Sequence, residues 1–540
     1  MKENKTIFQI DQTRECEPAT GAHSFSMNTH TNSEIHKQEA SCGQRSSKNE
    51  SLWIDTLRNS RVSCRGFDEL PERVDVIVIG GGMAGILTAY ELTKRGVDVI
   101  VVERDQVGGT CTSNTTAKIT SLHGGNYSKI VRAHGEEAAR IYYDASEDAI
   151  KEYQDIIKQL DIDCDFKLRN HILYSVEDEK KLKKEYDCMY HLGIPVEFTK
   201  STQLPFTVKG GLAFTKQGQF HPLKFIANLV KRLKVYDHCQ VTRIDSNGTV
   251  QINHKKEIQA KNVILATHYP IINSKGFYFA KLDQERSYVV ALKQSKDFMI
   301  KDMYIDLDEK GHSFRRYKEY LIMGLGNHRT GDTKASDYYK QLEADAFRWF
   351  PDAMIAARWS NQDCMSEDYL PYIGIYSKSL PNFYVATGFN QWGMSNSMVA
   401  ACTLADLITD KPNELEHVVR MDRHSLVGTG NRIVNGAISA MGLSKQILGL
   451  KKNEIKNIPN GKAGIVKIDQ QTVGIYKDES GEIHAIDTKC PHLGCQLAFN
   501  SNDKTWDCPC HGSRFDIDGN LIEDPAQKDL KKVCHRKDRG

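Results

Sequence analysis

A large α/β body, with a Rossmann-like nucleotide-binding core and an α+β substrate subdomain, followed by a small all-β domain, is the fold class that three observations predict. The first is an apolar run, residues 74–79, that passes directly into Gly80-Gly81-Gly82-Met83-Ala84-Gly85 and a helical stretch to about residue 95. The second is a matching strand, turn and helix pattern some 300 residues later. The third is a pair of cysteine- and histidine-bearing loops near the C-terminus, set among short β-type runs.

The apolar run reads as a buried parallel strand. Gly80 permits the tight turn that follows it, Gly82 lets a pyrophosphate approach the backbone, and Gly85 lets helix and strand pack closely. The helix N-terminus, at Met83 and Ala84, then faces the phosphates with its free N–H groups. A second apolar run, residues 97–102, ends in Glu103-Arg104, where a carboxylate takes the ribose hydroxyls. An acid at that place argues against a 2′-phosphate. The fingerprint does not separate FAD from NAD.

The remainder of the body carries a resemblance that does. The small-residue loop Gly108-Gly109-Thr110-Cys111-Thr112-Ser113 is similar to the segment that crosses the flavin pyrophosphate and ring in the D-amino-acid oxidase and glycine oxidase superfamily. So are Gly218-Gln219-Phe220-His221-Pro222, the strand 263–267 ending at Thr267, and the closing stretch 383–395. That resemblance implies FAD, with Gly80, Gly82, Met83, Ala84, Gly85, Glu103, Arg104, Gly109, Thr110, Thr112, Ser113 and Thr267 on its first half. Gly388, Gly393, Met394 and Ser395 are implied at the ring, where backbone N–H groups stabilise negative charge. His268 stands where the superfamily usually has glycine. Cys111 is read as a packing residue, His221 as a turn residue before proline, and Lys118 as a solvated lysine.

Residues 128–200 carry charged helical periodicity, and about 275–350 read as a strand-rich substrate subdomain closed by a helix ending at Phe350-Pro351. In amine and amino-acid oxidases of the superfamily an arginine on such a strand grips the substrate carboxylate in a bidentate pair. Arg315 and Arg316, beside Tyr317, fall at the corresponding place, and strand alternation lets one of the two arginines point inward.

Near the C-terminus, Cys490-Pro491-His492-Leu493-Gly494-Cys495 and Cys508-Pro509-Cys510-His511-Gly512-Ser513 each offer a thiolate and an imidazole. Two Cys and two His suit a Rieske [2Fe–2S] cluster and also suit zinc, but zinc has no use for the extra pair Cys495 and Cys510. The loops resemble the Rieske domains of cytochrome bc and b6f complexes. The resemblance implies that Cys490 and Cys508 bind one iron, that His492 and His511 bind the other, and that Cys495 and Cys510 form a disulfide. The charged tail after residue 530 leaves the domain without the last strand such domains usually have.

Domain limits follow: a disordered polar leader over 1–55, an oxidoreductase body over 56–425, a glycine-containing linker over 426–457, and the cluster domain over 458–540. Lys and Arg (72) nearly balance Asp and Glu (70), so no basic surface argues for nucleic acid. The longest apolar run is broken by glycines, so no integral membrane segment is expected, although the linker leaves a peripheral contact open. The first residues lack the apolar core of a signal peptide, and a cytoplasmic protein is expected. Of the fourteen cysteines, those outside the two loops keep no framework spacing.

The whole chain resembles the bacterial family in which a D-amino-acid oxidase-like flavoprotein is fused to a C-terminal Rieske domain. The expected activity is oxidation of an amine or amino-acid-like small molecule at FAD, with electrons passed singly through the cluster to an external acceptor. A reductase with electrons entering at the cluster from an external donor, and a non-catalytic redox carrier or sensor, are the alternatives.

Overall fold

The computed structural model describes residues 7–9, 50–57, 62–272, 275–308, 311–332, 337–423, 450–451, 455, 457–468 and 471–533. Most of the expected linker, 424–449, and the last residues, 534–540, lie outside the described residues.

The body is organised by five parallel strands: Lys256–Leu265, Arg73–Ile79, Val99–Val102, Val235–Tyr236 and Leu380–Thr387. Where both faces are covered the strands turn β-branched and apolar, and Val76, Ile77 and Val78 are fully buried. The helices Met83–Lys94 and Gly393–Ile408 pack on one another and across one face of this sheet. The C-terminal strand ends converge on Gly80, Glu103, Ala266 and Gly388, the place where open parallel sheets bind ligands.

A second sheet of nine strands stands beside the first, and its order corrects the expected substrate subdomain of about 275–350. The strands Leu282–Lys293, Tyr320–Arg329, His312–Tyr317 and Met303–Asp306 are there, but Met354–Ser366 forms one edge of this run. Lys167–Ser175, Gly210–Gln219 and Lys118–Ile119 complete the other side. The subdomain is therefore discontinuous, since strands distant in sequence pair wherever a shared apolar face can be buried. The expected helical stretch over 128–200 is likewise interrupted by Lys167–Ser175 between the helices Glu136–Gln159 and Glu179–His191.

The leader also needs correction at both ends. Ile7–Gln9 pairs antiparallel with Val241–Asp245, and Leu52–Leu57 is a helix belonging to the body. Trp53 on that helix is fully buried against His221 and Tyr317, with the Arg315 guanidinium over its ring. A single aromatic in a polar stretch escapes a compositional reading but buries enough surface to fix a short helix.

The C-terminal domain is two four-stranded sheets. One holds Leu450–Lys451, Lys462–Ile468, Gln471–Lys477 and Ile483–Asp487; the other holds Ala498–Asn500, Thr505–Asp507, Arg514–Phe515 and Leu521–Glu523. Trp506 is the core residue, and it fits because Gly474 opposite has no side chain: a Cβ there would lie 2.7 Å from the indole. The charged tail supplies the edge that the sequence leaves in doubt. The Asp487 N–H donates to the Lys531 carbonyl and the Val533 N–H to the Ala485 carbonyl, so residues 530–533 run along the Ile483–Asp487 strand.

Arg423 ends the described body and is buried in a bidentate pair with Asp368, at 2.6 and 2.8 Å, over the ring of Tyr372. Burial alone would raise the Asp368 carboxyl, but Arg423 and His134 hold it well below the usual carboxylate range. Arg423→Met should therefore cost about 3–5 kcal/mol in urea denaturation at neutral pH. Because a depressed carboxyl stabilises above its unfolded pKa and loses that contribution in acid, the gap between wild type and variant should narrow as pH falls below 4 or so.

Candidate functional site

Two tight approaches shape the glycine turn. Gly80 has φ +110°, and a Cβ on it would lie 2.5 Å from the Ala266 carbonyl oxygen. A Cβ on Gly85 would lie 1.9 Å from the Gly80 oxygen, so only glycine fits. At Gly82 a Cβ would meet the Thr112 hydroxyl, which accepts the first helical N–H, from Met83, at 3.0 Å. Glu103 is pinned by the Gly81 N–H at 2.6 Å and the Asp105 N–H at 2.9 Å, which fixes its carboxylate at the strand end.

A cavity of about 840 Å³ runs from this turn to the second sheet. Gly80, Gly82, Met83, Ala84, Glu103, Arg104, Gly109, Thr110, Thr112 and Thr267 line one end, and Gly388, Gly393 and Met394 line the other. Gly85, Ser113 and Ser395 stand behind the wall. Ser395 ties two segments together, its hydroxyl accepting from the Thr120 N–H at 2.8 Å and donating to the Thr120 carbonyl at 2.6 Å. Trp392, ahead of it, stacks on His123 at 5.1 Å. His268 takes the left-handed conformation, φ +65°, in place of glycine, and its carbonyl accepts the Thr387 hydroxyl at 2.5 Å.

Arg315, Arg316 and Tyr317 are not in the cavity wall. Arg315 points inward but is spent on backbone, donating to the carbonyls of Thr116, Ala117 and Phe220. Arg316 pairs with Asp297 at the surface, and the Tyr317 hydroxyl donates to Asp165. Strand alternation sorts the two arginines as expected, but the inward one faces carbonyls that need a donor.

The residue that does reach the cavity is Lys118, which the sequence marks only as a solvated lysine. It is buried, its ammonium donates to the Tyr304 carbonyl at 3.1 Å, and burial together with the nearby Arg315 lowers its pKa to about 7. His123 and His171 beside it are fully buried, and burial lowers both below the ordinary imidazole range, so they are neutral. Also in the cavity wall, burial raises Glu285, Asp306 and Asp363 to about 7. None of these acids carries a local sequence signal, because what perturbs them is burial created by the second sheet. His221 is a turn residue, capping the helix Pro222–Val230 by accepting from the Lys224 N–H.

The C-terminal domain closes the cavity from outside, contributing Ile522, Glu523, Asp524 and Gln527. Its two loops bring Cys490, Cys508, His492 and His511 together. The imidazole rings of His492 and His511 lie 4.9 Å apart, and Cys495 is bonded to Cys510. Backbone N–H groups of His492 and Leu493 and the Ser513 hydroxyl point at the Cys490 sulfur, and those of Cys510 and His511 at the Cys508 sulfur. Both ring nitrogens of His511 are buried without a hydrogen-bond partner. Orphaned imidazole nitrogens beside N–H-solvated sulfurs fit an iron–sulfur cluster held by two Cys and two His.

The family model for FAD dependent oxidoreductases matches residues 75–407. The chain belongs to that family. The Rieske [2Fe-2S] domain model matches residues 450–534, so this oxidoreductase carries two cofactors, FAD and a [2Fe–2S] cluster. Its cavity fits the first: the glycine turn leaves backbone bare at the strand ends, and the helix N-terminus faces it. YhfW of Bacillus subtilis, named as a Rieske 2Fe-2S iron-sulfur protein, is 35% identical over 474 residues, spanning 85% of this chain and 93% of its own. Among solved structures, glycine oxidase from Geobacillus kaustophilus aligns with a TM-score of 0.56 at 18% identity, over 66% of this chain and all of its own. L-amino acid deaminase from Proteus vulgaris, in a form with its specific insertion sequence deleted, aligns at 0.55 and 18%, over 68% of this chain and 98% of its own. At such identities the likeness concerns the fold. No helix among the described residues is long and apolar enough to cross a membrane.

Gly85→Ala drives a methyl group into the Gly80 carbonyl and should leave purified protein without flavin absorbance while iron content is kept. Retention of stoichiometric FAD would show that the turn can shift and that the approach is not obligatory.

Proposed function

We propose that this oxidoreductase dehydrogenates an amine or amino-acid-like substrate in the cavity and delivers the electrons one at a time, through the cluster, to an external one-electron acceptor. The observation that carries the reading is the placement of the second cysteine–histidine loop, 508–513, directly on two strands that wall the cavity. The Gln284 amide donates to the His511 carbonyl at 2.8 Å, and Gln284 itself lines the cavity together with its neighbours Asp283 and Glu285. FAD accepts two electrons with hydride from a C–N-bearing carbon, whereas a Rieske cluster takes single electrons.

The chain's own residues supply the remainder. Cys490 and Cys508 would hold one iron and His492 and His511 the other. Glu103 would take the ribose hydroxyls, and the residues from Gly80 to Gly85 with Thr112 would hold the pyrophosphate. Substrate enters the sector of the cavity bounded by Lys118, His123, Asp306, Glu285 and Trp392. An amine substrate arrives as ammonium and must lose a proton before hydride can leave the adjacent carbon. Lys118, neutral above about pH 7, is placed to take that proton. Partly protonated acids opposite it relay charge without fixing a permanent counter-ion in the site.

The deciding measurement is an anaerobic spectrum of the holoprotein with a panel of amines and amino acids. Bleaching of the flavin followed by the electron paramagnetic resonance signal of the reduced cluster is expected; a flavin that stays oxidised with every compound overturns the reading. Cys508→Ser should remove the iron and leave flavin bleaching intact, so that turnover with a one-electron dye alone is lost. In wild type the rate of flavin bleaching should rise as pH passes through about 7, and Lys118→Met should flatten that limb while lowering the rate on the order of a hundredfold.

A further inference from the structure

The contact between the cluster loop and the body is built from two glutamines that the reaction itself does not require. Gln284 and Gln362 lie on the antiparallel strands Leu282–Lys293 and Met354–Ser366, where Gln284 pairs with Cys364 and Arg286 with Gln362. The two amides are therefore diagonal neighbours on one face. Both residues are 1% exposed. The Gln362 amide donates to the Gln284 side-chain oxygen at 2.7 Å and to the Gly512 carbonyl at 3.0 Å, and Gln284 donates to the His511 carbonyl at 2.8 Å and the Asp524 carbonyl at 3.1 Å. Thr330 donates to the remaining Gln362 oxygen at 2.8 Å. Behind the pair, the main-chain carbonyl of Gln362 accepts the Cys111 thiol at 3.2 Å, and Cys111 belongs to the loop that lines the cavity.

The surfaces meet without slack. A Cβ on Gly512 would lie 2.7 Å from Gln284 Cβ, and one on Gly331 would lie 2.5 Å from the Pro509 nitrogen. Arg329 adds donation to the Pro509 and Cys510 carbonyls at 3.2 and 3.1 Å. Four successive carbonyls of the cluster loop, from Pro509 to Gly512, and that of Asp524 are thus gripped by donors from the body. Such a grip forfeits hydrogen bonds whenever the domain lifts, and each buried donor left bare costs about 1–3 kcal/mol.

We propose that Gln284 and Gln362 are positioning residues for electron exchange between the two centres: they clamp the His511-Gly512 backbone to the cavity wall, and exchange takes place with the domains docked. This deepens the proposed function and rests on its assignment of the cluster to the two loops. Each exchange removes one electron from reduced flavin and turns one ferric iron ferrous, with no bond of the clamp made or broken.

The test uses full-length holoprotein and needs no substrate. Flavin is photoreduced anaerobically with EDTA as electron donor, and the appearance of reduced cluster is followed by rapid-freeze electron paramagnetic resonance. In the Gln284→Ala/Gln362→Ala double variant the flavin-to-cluster rate should fall about tenfold or more, as expected when reacting centres lose their spacing, while FAD content, iron content and g-values stay as in wild type. Hydrogen exchange at residues 508–513 should rise in parallel. An unchanged transfer rate in the double variant overturns the proposal. If that variant fails to retain its cofactors, Gly331→Ala, which wedges the Pro509 contact from the body side, gives the same reading: slower transfer supports the clamp and wild-type transfer overturns it. Because light replaces substrate, failure of amines to bleach the flavin would overturn the proposed function while leaving this result standing.

Discussion

Arg286 is the residue on which the junction of the two domains depends. Its guanidinium is buried, and its partners come from the other domain: Asp503 at 2.7 Å and Glu523 at 3.5 Å. Arg514 answers from the far side, reaching Asp503 at 2.9 Å, Asp507 at 3.1 Å and Glu523 at 3.1 Å. Burying charge costs several kcal/mol per ion, so a network of this sort adds little net stability over an apolar patch. What it adds is intolerance of separation. Lifting the C-terminal domain would strand Arg286 beside Ser360 in a partly apolar surface, with no carboxylate in reach among the partners it now has.

That intolerance places everything else at the interface. The Leu521–Glu523 strand ends in residues that close the cavity, and Asp524 meets Arg104 at 3.0 Å on the nucleotide side. The same docking lays the loop 508–513 on the strand pair that walls the cavity. Gln284, Arg286 and Gln362 reach the cluster domain, while Asp283, Glu285 and Asp363, and Gln284 with them, line the cavity. One strand pair thus meets both the cavity and the cluster loop.

Inside the cavity, burial tunes the titrating groups toward neutrality. Glu285, Asp306 and Asp363 are raised and Lys118 is lowered to the same region near 7, because none is matched by a close opposite charge in the wall. A set of nearly neutral acids and an amine exchanges protons readily. That suits a reaction in which the substrate gives up protons and electrons together.

Local chemistry made part of this legible from residues alone. The glycine turn, Glu103 and the two cysteine–histidine loops announce themselves because their spacing along the chain is dictated by a strand, a tight turn or a hairpin, each only a few residues long. Lys118 and the arginines did not, since the direction in which a side chain on the second sheet points depends on which distant strand lies beside it. Arg315 looked like an anion clamp and instead caps carbonyls of residues 116, 117 and 220. Trp53 was lost in a polar leader for the same reason: its pocket is made by His221, Tyr317 and Arg315, far away in sequence. The sequence by itself determined the two cofactor-binding motifs and the order of the domains. Only the tertiary structure decided what lines the cavity, which lysine is buried, and how the cluster loop meets the body, because burial and long-range pairing, not local spacing, fix a buried group's partners and its charge.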